Sequence, residues 1–62
     1  MYKRGWYKKG NRYRFVTDCD SLMVYYQTES KFGSNHHSGE HLIFGKWFKD
    51  AEYIGMELVK SE

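Results

Sequence analysis

A chain of 62 residues with one cysteine cannot staple itself together, so its core has to come from its rings. A domain this short buries only about 60% of the surface that its unfolded chain exposes. Small folds usually compensate with disulfides, a metal or a partner chain. Cys19 alone excludes a bridge within the monomer. Twelve aromatic residues stand in for it, each able to bury on the order of 150–250 Å². Association into a homodimer is the other remedy open to such a chain, because it adds buried surface.

Along the chain, polar and apolar residues alternate with a strand-like period. Arg12–Thr17 places Tyr13 and Phe15 on one face and Arg12 and Arg14 on the other, which predicts a half-buried strand with the arginines outward. Gly10-Asn11 before it tolerates positive φ, so Tyr2–Lys9 and Arg12–Thr17 are expected to form a hairpin. Asp18–Ser21 has the composition of a turn. Leu22–Thr28 is apolar at the start of both faces and reads as a central strand. Ser30–Glu40 carries no period and is expected as one long loop, of the kind often functional or mobile. His41–Phe44 resumes a short strand. Beyond Gly45, helical spacing of Trp47, Ala51, Ile54 and Leu58 competes with a closing strand. The preferred assignment is a helical turn near Trp47–Tyr53 followed by a strand over Met56–Lys60, since Gly55 inside a longer helix would cost about 1 kcal/mol.

The expected architecture is a single mainly β domain over residues 1–62. It has four or five antiparallel strands, as a small SH3-like barrel or a strongly bent sheet, and one short C-terminal helix or helical turn. The Lys-Lys-Gly-Asn-Arg-Tyr start, the Val-Tyr-Tyr-Gln strand and the late Trp-Phe resemble small SH3-like domains of bacteria and phages. The resemblance spans roughly two-thirds of the chain and implies the fold alone; it carries no functional residue over.

Charge is distributed unevenly. Lys3, Arg4, Lys8, Lys9, Arg12 and Arg14 carry +6 before any acid appears, and the chain from Asp18 onward carries −4. Trp6, Tyr7 and Tyr13 are interleaved with those bases. Cations beside rings suit single-stranded nucleic acid, with Lys8, Lys9, Arg12 and Arg14 on phosphates and Trp6 or Tyr7 stacked on bases. A pI of 8.7 lies below the value of about 9 expected of a committed nucleic-acid domain. The acidic remainder offers the arm a partner in the same molecule or in a second copy.

His36, His37 and His41 suggest a metal site by residue type, and His37-x3-His41 has the spacing of a ligand pair on a helix. Ser38-Gly39 opposes a helix there, and further ligands are wanting, so a solvated loop is expected. Neither these histidines nor Cys19 has a nameable orienting partner, so neither an enzyme nor a cofactor is expected. Phe44, Trp47, Phe48 and Tyr53 add to more apolar bulk than one small core hides, which predicts exposed rings and a partner. The longest apolar run, Leu22–Tyr26, is far too short to span a membrane. No apolar stretch of signal length follows the basic start, so the chain is expected in the cytoplasm.

These features favour a small non-catalytic module that binds an acidic protein surface or itself, in the manner of a phage-type accessory or inhibitor protein. Its contact surface would be Lys3, Arg4, Trp6, Tyr7, Lys8, Lys9, Arg12 and Arg14. Single-stranded nucleic-acid binding is the alternative, and a histidine-loop metal protein or nuclease is a third.

Overall fold

The computed structural model describes residues 2–59. Five strands run β1 Gly5–Lys9, β2 Arg12–Cys19, β3 Met23–Thr28, β4 Ser38–His41 and β5 Glu52–Gly55. A 3-10 turn, Glu29–Lys31, follows β3, and a four-residue helix, α1 Lys46–Lys49, precedes β5. Every pairing is antiparallel, in the order β4-β3-β2-β1-β5. The mainly β architecture holds. β4 and β5 form the two outer edges of the sheet.

The hairpin forms where Gly10-Asn11 predicts it, with Gly10 at φ 61 in the left-handed region that glycine enters without steric cost. At the other end of β2, Asp20 builds the turn into β3. Its Oδ1 accepts the backbone N–H groups of Leu22 at 2.8 Å and Met23 at 2.7 Å. The donors from Met23 and Leu22 hold the carboxyl below the usual carboxylate range. The Asp20 charge in turn pushes the neighbouring Tyr25 hydroxyl upward.

Both faces of the sheet are covered, which changes the meaning of the alternation in β2. On one face Tyr7, Val16, Val24 and Phe48 form the core, with Tyr26, Leu42, Trp47 and Ala51 packed around them. Phe48 arrives there on α1. On the other face Trp6, Phe15 and Phe32 make a second ring cluster, with centroids 4.9–5.3 Å apart. Phe15 is therefore buried as expected, but Arg14 is not turned outward. It shares the face of Tyr7 and Val16, because the register aligns Tyr7 with Arg14 and Thr28. Alternation here separates two covered faces, not core from water.

The long loop is shorter and better held than its composition suggests. β4 starts at Ser38, inside the expected loop, and ends at His41, where a turn takes over from the expected strand. Gln27, 5% exposed, anchors the rest. Its Nε2 donates to the carbonyls of Ser34 at 2.8 Å and His36 at 3.1 Å, and its Oε1 accepts from Gly33 N–H at 3.2 Å.

The C-terminal assignment needs correction. The helix ends at Lys49 and the strand comes at Glu52–Gly55, ahead of the expected Met56–Lys60; Lys60 itself lies outside the described residues. Tyr53 decides this. It pairs with Tyr7 in register, its ring lies 5.1 Å from Tyr7, and its hydroxyl donates to the Arg4 carbonyl at 3.0 Å. Gly5 makes room, since a Cβ there would meet the Gly55 carbonyl and the Tyr53 ring at 2.8 Å.

Two outcomes follow for stability. Gln27→Ala removes the two donors to the Ser34 and His36 carbonyls and the acceptor of the Gly33 amide, and urea melts are expected to show a loss of about 1–3 kcal/mol. Asp20→Ala is expected to lower the melting temperature at neutral pH. Because its folded pKa is depressed, Asp20 stabilises above its unfolded pKa, and that contribution is lost as pH falls through the folded pKa. The gap between variant and wild type should therefore shrink in strong acid; a gap that stays constant contradicts the assignment.

Candidate functional site

The six N-terminal cations do not form one surface. β1 separates them, since its five residues at about 3.3 Å each run from Gly5, next to Lys3-Arg4, to Lys9. Lys3 sits over the Tyr53 ring at 5.3 Å, with its backbone tied to the Tyr7 hydroxyl at 2.9 and 3.1 Å. Lys8 lies opposite Glu52 in the β1–β5 register. Lys9 reaches Asp50 at 3.8 Å, an exposed pair of little energetic weight. The acidic half of the chain thus answers part of the basic arm inside the molecule.

The expected aromatic platforms are gone from the surface. Trp6 is 3% exposed and Tyr7 5%, so neither ring can stack on a base. The cause is the two-sided sheet: neighbours in β1 point to opposite faces, and both faces are covered. Burial pushes the Tyr7 hydroxyl above its ordinary value, partly offset by its bond to the Lys3 backbone.

Arg12 and Arg14 do come together, beside the hairpin turn. β1 pairs along β2 as far as Lys9 opposite Arg12, whereas β3 pairs only as far as Thr28 opposite Arg14 before turning into the 3-10 segment. The step between them is a cleft of about 410 Å³ lined by Asn11, Arg12, Tyr13, Arg14, Thr28, Glu29 and Ser30. A second hollow, bounded by Lys9 and Trp47, shares Asn11 and Arg12 with it.

Arg14 is the ordered element of this cleft. Its guanidinium carbon lies 4.3 Å from the ring centroids of both Tyr26 and Trp47, and 5.6 Å from that of Phe48. Such stacking is worth roughly 0.5–2 kcal/mol, the upper end when desolvated. Rings hold the guanidinium in place without using its N–H groups. Among the described residues no carboxylate is recorded within 4 Å of the Arg14 guanidinium. Across the cleft, the hydroxyls of Thr28 and Ser30 are 3.4 Å apart and hydrogen-bonded. The arrangement offers planar cationic donors, hydroxyls and an amide to an anion.

The remaining candidates lie elsewhere. His36, His37 and His41 are exposed, and His41 stands edge-on to Phe44 at 6.2 Å. Among the described residues no three His, Cys, Asp or Glu side chains gather into a metal-holding group. Cys19 packs beside the main core, and its thiol donates to the Asp20 carbonyl at 3.7 Å. Glu40, opposite Val24, has a buried Oε2 with no hydrogen-bond partner among the described residues. It helps raise the Tyr2 hydroxyl pKa, after the larger effect of burial.

Thr28, Ser30, Tyr26 and Trp47 were not legible as parts of this site. Only the β2–β3 register brings the first three beside Arg14, and only α1 brings Trp47. No protein-family model, no curated protein and no solved structure matches the chain.

Proposed function

We propose that this chain is a non-catalytic binding module that recognises an acidic surface of a partner protein through the Arg12–Arg14 cleft. A small phage-type accessory protein, blocking another protein by covering it, is the kind of module meant. The observation that carries the proposal is Arg14, its guanidinium held against the rings of Tyr26 and Trp47 with no ion pair recorded to it among the described residues. A cation placed in advance loses less side-chain entropy when it meets its anion. Burial of Trp6 and Tyr7 argues against single-stranded nucleic acid, because base stacking supplies much of that affinity.

The test uses two probes, an oligoglutamate peptide and oligothymidylate, titrated while the NMR signals of Arg12, Arg14 and Thr28 are followed. The peptide is expected to shift these signals, and Arg14→Ala to abolish the response. The proposal fails if the peptide leaves them unmoved. It also fails if oligothymidylate binds with a log–log salt slope of about −0.7 per phosphate while the peptide does not.

Self-association is a second reading, favoured by a different surface. Leu22 is 59% exposed, and Ile43 and Phe44 are each 74% exposed. The Leu42 N–H donates to the Leu22 carbonyl at 3.0 Å, which sets these side chains together at the end of the sheet away from the hairpin. Sedimentation across a concentration series should show a dimer that Phe44→Ser weakens and added salt does not. A monomer at every concentration removes this reading.

A further inference from the structure

From the donors around the cleft we infer that its anion is a phosphomonoester, carried on a phosphorylated side chain of the partner protein. The inference rests on the proposed role of the cleft and names the ligand that suits it.

A carboxylate has two oxygens, and one guanidinium in bidentate contact meets both. The cleft supplies much more than that. Arg12 and Arg14 stand two residues apart on one face of β2, a repeat of about 7 Å. Thr28 and Ser30 add a hydrogen-bonded pair of hydroxyls 3.4 Å apart, which leaves one of their protons to donate, and Asn11 adds an amide. A phosphomonoester presents three acceptor oxygens and −1.5 to −2 charges at neutral pH, roughly the count that these donors can serve. Its tetrahedral head can also take donors from several directions at once, whereas a carboxylate takes them in one plane.

The identity of the cations points the same way. Both bases in the lining are arginines, whose planar forks match phosphate geometry, and no lysine lines the cleft. Arginine clusters are a recurring means of reading phosphorylated motifs. The volume of about 410 Å³ falls at the low end of ligand sites, larger than one carboxylate group needs. It accommodates a phosphorylated side chain with the peptide next to it. Nucleic-acid phosphates are diesters with a single charge and two free oxygens each, and so leave part of the donor set unused. Glu29 is the one acid in the lining.

The test compares three short glycine-serine peptides, one with a single phosphoserine, one with aspartate there and one with plain serine, by calorimetry at fixed low salt. The phosphoserine peptide is expected to bind about tenfold tighter than the aspartate peptide, with the serine peptide weakest. Inorganic phosphate should compete for the same site, but more weakly than the peptide does. Arg14→Lys keeps the charge and loses the fork, and should lower phosphopeptide affinity about tenfold. Thr28→Val with Ser30→Ala should erase most of the advantage of phosphate while leaving the aspartate peptide unchanged. Thermal melts of each variant check that the fold persists.

Equal binding of the phosphoserine and aspartate peptides overturns this inference and leaves the acidic-surface proposal standing. Failure of all three peptides and of oligoglutamate overturns both. If oligothymidylate outcompetes the phosphopeptide, the ligand is a phosphodiester and the inference is again wrong. If free phosphate binds as tightly as the phosphopeptide, the site serves a small phosphate compound, and the protein source named here is overturned.

Discussion

Phe48 holds this structure together. It is 1% exposed, and the rings of Tyr2, Tyr7, Tyr26 and Trp47 all lie within 4.9–5.6 Å of its own. Several of these contacts are tilted or edge-on, the geometry that ring quadrupoles prefer. The helix that carries it has four residues, too few to be stable by itself. α1 is thus less a helix that packs than a device for delivering one ring to the sheet. What a disulfide would do for other chains of this length is done here by five aromatic side chains meeting at a point.

Dependence on rings rather than a wide aliphatic core explains why both faces of one sheet are used. α1 covers the first face, and the Gln27-tethered loop brings Phe32 onto the second. Each cluster is small, and β1 contributes to both through the adjacent residues Trp6 and Tyr7. Burying neighbouring side chains on opposite sides takes Trp6 and Tyr7, the rings among the N-terminal cations, away from any ligand. The function proposed here accordingly rests on cations that aromatic rings support, rather than on rings that touch the ligand.

Parts of this were legible in the chain. Gly10-Asn11 marks the hairpin because only a few residue types tolerate its backbone, and the strand expected over Leu22–Thr28, found at Met23–Thr28, stands out because the apolar run Leu22–Tyr26 is local and continuous. Arg14 was misplaced for a physical reason. Alternation reports that two faces differ, but not whether the polar one meets water or a second layer. The late strand was misplaced because Tyr53 finds its partner in Tyr7, 46 residues earlier. No window around Tyr53 contains that information. The same holds for the cleft, whose walls come from strands joined only by register.

The Tyr53 hydroxyl bond to the Arg4 carbonyl also bears on how the protein is made. It links positions 49 apart in a 62-residue chain, and β1 cannot gain its second neighbour until β5 exists. During synthesis the first four strands emerge with β1 still an open edge, and α1 has not yet delivered Phe48. The sheet is completed only once Glu52–Gly55 has been made. Long-range closure of this kind is slow to nucleate compared with local hairpins. A nascent chain stalled before Glu52 would therefore expose the backbone of β1 to any strand nearby, so β5 guards that edge against pairing with another chain as well as completing the sheet.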